Sequence, residues 1–85
     1  MPMKVLKVLE NVLLTEITYD HGKQSLSPDE DLLEQGLIDS LGLMKLITIM
    51  EESFSITIGD DDIVPANFQN LNLMAAFVEE KMSNQ

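Results

Sequence analysis

Residues 33–41, Leu-Glu-Gln-Gly-Leu-Ile-Asp-Ser-Leu, mark the point at which a long loop gives way to a helix. Gly36 is a turn-forming residue, and the two apolar residues that follow it can fix the loop to a core. Asp39 and Ser40 come next. Both residue types are favoured at helix N-termini because their side-chain oxygens accept hydrogen bonds from unpaired backbone N–H groups. The stretch therefore predicts an ordered loop and a helix that begins near Ser40.

The residues after this point have the apolar spacing of an amphipathic helix. In residues 40–54 the large apolar side chains fall on one face, which predicts the second long helix of the chain. These residues are Leu43, Leu46, Ile47, Met50 and Phe54. Leu41, Met44 and Thr48 share a different face of the same helix. Apolar residues exposed beside an acidic surface are typical of an interaction site.

Two more segments repeat the helical spacing, at residues 3–17 and 71–82. The first stripe consists of Val5, Leu6, Leu9, Val12 and Leu13. The second consists of Leu71, Met74, Ala75, Val78 and Met82, with Phe77 extending it. Leu14 lies off the first stripe, near its polar side, and Asn70 can cap the last helix. Three long helices and their apolar faces are therefore expected.

The connections between these helices have room only for short helical elements. Residues 18–39 have no sustained period, although a turn of helix can form around residues 29–34. Residues 60–64 can form another turn that ends near Pro65. The sequence thus predicts an all-α fold. We expect a small four-helix bundle, with three longer helices and one short helix, and a long ordered loop between helices 1 and 2.

The composition limits what the protein can do. The 85 residues include 15 Asp and Glu, five Lys and no Cys, and the formal charge is −10. Such a chain is unsuited to nucleic-acid backbones and to anionic membranes, because its carboxylates repel phosphate. Without Cys, disulfides, thiolate metal sites and a Cys nucleophile are excluded. We expect one monomeric domain over residues 1–85 with its core at about 4–82, located in the cytoplasm and not inserted in a membrane.

The negative charge is concentrated in the middle of the chain. Residues 29–62 contain ten acidic residues and a single basic one, Lys45, which gives a net charge of −9. A solvated face that keeps a small protein in solution has this composition. A docking surface for basic partners has it too, since a dense cluster of like charges costs stability and needs a reason.

Catalytic and metal-binding patterns are weak. His21 is the only His, and a Ser-His-Asp triad with Ser40 and Asp39 is disfavoured because adjacent residues cannot both take the roles that a triad requires. Residues 60–62, Asp-Asp-Asp, lack the spacing of a calcium loop and are better explained as a helix start. We therefore expect no catalytic residue and no metal ligand.

Ser40 is the candidate functional residue. At the start of a helix, a group that carries negative charge meets free N–H groups and the positive end of the helix dipole, so a phosphate attached to Ser40 would be stabilised. A structural N-cap is the alternative explanation for a Ser at this position.

Residues 33–41 closely resemble the attachment site of the acyl carrier and peptidyl carrier proteins, in which Asp-Ser-Leu follows a Gly-containing loop. The resemblance continues in Glu-Glu-x-Phe at 51–54, Ile-x-Ile at 56–58 and Ile-x-Pro-x-Asn-Phe at 63–68. The last of these is similar to peptidyl carriers in particular. Together the similar segments span most of residues 4–82.

The resemblance implies that Ser40 carries 4′-phosphopantetheine through a phosphodiester, which a phosphopantetheinyl transferase installs from coenzyme A. The thiol of this arm would hold acyl or aminoacyl intermediates as thioesters while the protein shuttles them between enzymes. Asp39 and Leu41 belong to the attachment site by the same resemblance. The positions that it assigns to partner recognition are Leu41, Met44, Lys45, Thr48, Glu51 and Glu52.

Two residues depart from the pattern of the carriers of fatty-acid synthesis. Gly42 and Lys45 stand where those carriers usually have acidic residues. We therefore favour a stand-alone carrier of a specialised pathway, with loading and downstream enzymes that present basic surfaces. A housekeeping fatty-acid carrier and an unmodified acidic adaptor of the same fold are the alternatives, and a small hydrolase that uses Ser40 and His21 is the least favoured.

Overall fold

The computed structural model describes residues 2–17 and 25–83, with side chains from residue 5 onward. Four α-helices follow in chain order: α1 (Pro2–Val12), α2 (Ser40–Phe54), α3 (Pro65–Phe68) and α4 (Leu71–Ser83). A π-helical segment, Leu13–Ile17, continues α1, and a 3₁₀ turn, Asp60–Asp62, lies between α2 and α3. The described residues contain no strand. The expected all-α bundle of three longer helices and one short helix is therefore confirmed.

The core is built from the apolar faces that the helical spacing predicts. It is formed by Val5, Leu9, Leu13, Leu46, Ile47, Met50, Phe68, Leu71, Met74, Ala75, Phe77 and Val78 of the helices, and by Leu26, Leu32, Leu37, Ile38, Ile56 and Ile58 of the connections. Phe68 and Phe77 pack with ring centroids 5.5 Å apart. Met82 is the exception among the predicted stripe residues. It lies in the last turn of α4, where 47% of the side chain is exposed.

The π-helical segment changes which residues of the first helix face the core. A π turn closes i→i+5 hydrogen bonds, so it accommodates one more residue than an α turn and rotates the side chains that follow. Leu14, which an uninterrupted α-helix would leave near the polar side, is partly buried against the core. Ile17 packs against the core as well. The segment thereby directs the end of the first helix toward the start of α2.

The described part of the long loop, residues 25–39, is fixed to the rest of the bundle by hydrogen bonds. The Leu32 N–H donates to the Gln69 carbonyl at 2.8 Å, and Gln69 Nε2 donates to Asp31 Oδ2 at 2.7 Å. Asn72 contacts the same loop twice: its N–H donates to the Pro28 carbonyl and its Nδ2 to an Asp29 oxygen. The junction between α3 and α4 therefore holds the loop in place.

The expected helical turn within residues 60–64 is present as the 3₁₀ turn Asp60–Asp62, but two other details of the connections are wrong. Residues 29–34 form turns rather than a helix, because the Leu32 N–H is bonded to Gln69 and Gly36 takes a left-handed conformation with φ of 74°. Pro65 begins α3 instead of ending a helix. Proline is favoured at the first position of a helix, where its missing N–H would have no partner. The 3₁₀ turn ends earlier, at Asp62.

No helix within residues 2–17 and 25–83 has the length and apolar character needed to cross a membrane.

Ser55 provides a stability test, because it ends α2 with φ of 55°. The N–H groups of Ser55 and Ile56 both donate hydrogen bonds to the Glu51 carbonyl. Helix ends of this kind usually have Gly at the residue with positive φ. Ser55→Gly should raise the free energy of unfolding by about 0.5–1 kcal/mol, since Gly adopts positive φ without steric cost. Urea denaturation measures the change. Ser53→Gly, inside the helix, should instead lower stability by about as much.

Candidate functional site

Asp39 caps the N-terminus of α2. Its backbone is extended, with φ of −99° and ψ of −175°, and its Oδ1 accepts a hydrogen bond from the Gly42 N–H at 2.7 Å. Its carbonyl accepts the first bond of the helix, from the Leu43 N–H at 2.8 Å. The N-cap is therefore Asp39, and the explanation of Ser40 as a structural cap is wrong.

Ser40 is the first residue of α2, and its side chain is exposed. Within the described part of the chain, its hydroxyl makes no hydrogen bond, and the N–H groups of Ser40 and Leu41 have no acceptor. A fifteen-residue helix adds the positive end of its dipole at this point. An exposed hydroxyl beside unpaired N–H groups suits a phosphodiester, so the residues present fit a phosphate-linked group at Ser40.

Gly42 allows the first turn of α2 to approach the π-helical segment closely. A Cβ at this position would lie 3.1 Å from Asp39 Oδ1 and 3.2 Å from Ile17 Cγ2. Any side chain would therefore press on both the capping carboxylate and the end of the π-helical segment. The contact with Ile17 explains a Gly that otherwise costs helix stability. Sequence reasoning missed this contact because Ile17 follows the change of helical register.

The second face of α2 lies at the surface. Leu41 is 83% exposed and Met44 is 58% exposed. Thr48 is also exposed, and its hydroxyl donates to the Met44 carbonyl at 3.2 Å. Two large apolar side chains therefore project into solvent within one helical turn of Ser40.

The two adjacent acids at the end of α2 have different environments. Glu52 is exposed. Glu51 is half-buried, and its Oε2 accepts a hydrogen bond from the Ile58 N–H at 2.8 Å. Glu51 thus fixes the segment after α2, which accounts for an acid near a helix C-terminus, where the dipole disfavours it.

Lys45 lies at the surface of α2 opposite Glu16 of the π-helical segment. Lys45 Nζ is 3.5 Å from Glu16 Oε1, and the two side chains are 53% and 49% exposed. The positive charge of Lys45 therefore lies at the surface of α2, next to the carboxylate of Glu16 in the π-helical segment.

Two other acids have structural roles. Lys81 Nζ lies 2.7 Å from Asp62 Oδ2 and, with the Gly59 N–H, lowers the pKa of that carboxyl. The pKa of Asp31 is lowered chiefly by the Glu34 backbone N–H, which donates to it at 2.9 Å. Among the residues that the structure describes, no group of three His, Cys, Asp or Glu side chains can hold a metal ion.

His21, the base of the disfavoured triad, lies outside the described residues. Asp39, the acid of that triad, accepts a hydrogen bond from the Gly42 N–H with its carboxylate. The arrangement at Ser40 offers an attachment point for an anionic group.

Comparison with known proteins agrees with this geometry. The family model described as "phosphopantetheine attachment site" matches residues 7–78. The probable acyl carrier protein PigG of Serratia sp. is 29% identical over 75 residues, covering 85% of this chain and 86% of that protein. The D-alanyl carrier protein of Streptococcus mutans is 33% identical over 69 residues, covering 75% and 78%.

The fold is also similar to that of a carrier protein whose structure was solved in the holo form. The solution structure of a holo acyl carrier protein from Nitrosomonas europaea superposes with a TM-score of 0.77 at 32% sequence identity. The match covers 92% of this chain and 95% of that one.

The capping role of Asp39 can be tested without reference to any partner. Asp39→Ala should lower the free energy of unfolding by about 1 kcal/mol, because the Gly42 N–H loses its acceptor. Asp39→Asn keeps an acceptor oxygen and should stay within about 0.5 kcal/mol of the parent. Urea denaturation measures both. Equal losses in the two variants would show that the negative charge, rather than the hydrogen bond, stabilises this end of α2.

Proposed function

The chain belongs to the phosphopantetheine-binding family of acyl and peptidyl carrier proteins, and within it we propose a stand-alone carrier whose arm is attached to Ser40. Members of this family are carriers rather than enzymes, and their cofactor is covalent 4′-phosphopantetheine. One observation supports Ser40 above all. Its hydroxyl is exposed at the N-terminus of α2, while the neighbouring Asp39 performs the capping.

The residues around Ser40 would present the attachment point to a transferase. Asp39 fixes the start of the helix, and Leu41 offers an apolar contact next to the hydroxyl. When attached, the arm supplies a terminal thiol that holds the cargo as a thioester. The chain has no Cys, so it offers no thiol of its own to compete for that cargo. No general base is needed in this protein, because the transferase and the loading enzymes supply it.

The cargo we propose is an acyl or aminoacyl group of a specialised biosynthetic pathway. The relatives that support this include both an acyl carrier and a D-alanyl carrier. Gly42 and Lys45, in place of acids, and the peptidyl-carrier-like residues 63–68 point the same way. We place the protein in the cytoplasm as a monomeric carrier domain over residues 1–85.

The partner face consists of Leu41, Met44, Lys45, Thr48 and Glu52, all exposed on α2. Glu51, expected here from the resemblance, would act indirectly, since its carboxylate is bonded to the Ile58 N–H. Loading and downstream enzymes would dock on this face. The acidic charge of the chain would speed their approach, more strongly at low salt.

Attachment at Ser40 predicts a specific mass change. Incubation of the apo protein with coenzyme A, Mg²⁺ and a phosphopantetheinyl transferase should add the mass of one phosphopantetheine. Ser40→Ala should add none, because it lacks the acceptor oxygen. Ser53→Ala removes an exposed hydroxyl from the other end of α2 and should be modified like the parent.

Mass spectrometry of the intact proteins separates the alternatives. Modification that survives in Ser40→Ala, or that is absent from the parent, contradicts the proposal. The unmodified-adaptor alternative makes a different prediction: in the host, Ser40→Ala would leave the output of the pathway unchanged.

The partner face predicts unequal effects of two similar substitutions. Met44→Ala should lower kcat/KM for modification by about 5- to 10-fold, or roughly 1–1.4 kcal/mol, because an apolar contact at the interface is lost. Met82→Ala removes a similarly exposed Met from α4 and should leave kcat/KM unchanged. Both variants should keep the stability of the parent within about 0.5 kcal/mol. Equal kinetic losses would contradict a docking role for this face.

A further inference from the structure

Lys45 places a positive charge among the exposed side chains of α2. Leu41, Lys45, Thr48 and Glu52 follow one another at helical spacing on one side of the helix, and all are exposed. At 1.5 Å per residue, Lys45 and Glu52 are about 10 Å apart along the axis. This separation is longer than the Debye length of about 8 Å at physiological salt, so Lys45 and Glu52 act on a partner surface as two separate charges of opposite sign.

The stability of the fold does not explain Lys45. Within residues 2–17 and 25–83, the ion pair that Lys45 forms is with Glu16, and it joins two half-exposed side chains at 3.5 Å. Exposed surface pairs of this kind contribute little to stability. The pair does place the ammonium group between α2 and the π-helical segment, and the Glu16 carboxylate reduces the field of that group.

For a basic partner, the net charge of the whole chain is therefore attractive at long range, whereas Lys45 is repulsive on contact. The charge of −10 attracts any basic surface to the molecule. On contact, a basic group opposite Lys45 meets a like charge, and such juxtapositions are costly. An interface that rejects wrong partners commonly contains a repulsive element of this kind.

We infer that Lys45 is a specificity-determining residue that disfavours partners with a uniformly basic docking surface. The occupant that fits is an enzyme surface with an apolar recess for Leu41 and Met44 and a carboxylate opposite Lys45. A basic group of that enzyme then meets Glu52. This inference rests on the proposed function of Ser40, since modification of that residue is the readout.

The test uses the full chain in its apo form and a transferase whose carrier-docking surface is basic. In the measured step, the Ser40 oxygen bonds to the phosphorus of the arm and the pyrophosphate bond of coenzyme A breaks. Adenosine 3′,5′-bisphosphate leaves, and the hydroxyl proton passes to a base of the transferase. The kinetic parameters are compared at 20 and 200 mM NaCl for the parent, Lys45→Gln and Lys45→Glu.

Lys45→Glu should raise kcat/KM about 5- to 10-fold at low salt, mainly through KM, and Lys45→Gln should lie between it and the parent. The gain should shrink at 200 mM NaCl because the interaction is screened. Glu16→Gln, which leaves the Lys45 charge uncompensated, should lower kcat/KM. Lys7→Glu makes the same change in net charge at an exposed site on α1 and should have a much smaller effect.

The outcomes separate the inference from the proposed function. Equal gains in Lys7→Glu and Lys45→Glu, or no gain in Lys45→Glu, would overturn the inference while Ser40 is still modified. If neither the parent nor Lys45→Glu accepts the arm, the proposed function fails and the inference fails with it. Thermal unfolding of each variant shows whether a loss of rate reflects a loss of fold.

Discussion

The hydrogen bond from the Gly42 N–H to the Asp39 carboxylate determines how the functional end of the molecule is arranged. A helix leaves its first N–H groups without partners, and one side chain usually compensates. Asp39 takes that role one residue before the helix, so that in the part of the chain that the structure describes the Ser40 hydroxyl and the first N–H groups beside it have no partner. A Ser in the capping position would have bent its hydroxyl back toward the helix.

The position of Asp39 depends in turn on the packing on both sides of it. On the loop side, Leu37 and Ile38 are buried, so the chain emerges from the core just before the cap. On the helix side, Gly42 accommodates Ile17. The loop is further held by the α3–α4 junction through Gln69 and Asn72. The exposed Ser40 is thus positioned by contacts from three separate parts of the chain.

The regular part of this arrangement follows from the sequence, because burial of one helix face imposes a period that can be read directly. The faces of α2 and α4 are examples, and only Met82 departs from them. The burial of Leu14 does not follow from the sequence, because no residue type in the sequence marks the π turn that changes the period of the first helix. The sequence does not decide whether Pro65 ends one helix or begins another. Proline disrupts the interior of a helix but is favoured at its first position.

The sequence names the residues of the candidate site but does not indicate how they divide their structural roles. Asp and Ser are both good caps, and adjacent in sequence they leave open which one caps the helix. The geometry of the backbone decides in favour of Asp39. Glu51 and Glu52 are an equally ambiguous pair, and only the Ile58 N–H distinguishes the structural acid from the exposed one. Side chains that contact backbone distant in sequence leave no local pattern.

A carrier that visits several enzymes must bind each of them quickly and leave each of them readily. A high negative charge serves the first requirement, since it raises association rates without adding a tight contact. On the proposed partner face, Leu41 and Met44 would serve the second, because two exposed side chains form a small apolar contact. Neither property distinguishes one basic partner from another. Under the proposed role of Lys45, discrimination comes from a local charge that opposes the global one, and Lys45 is the only basic residue of α2.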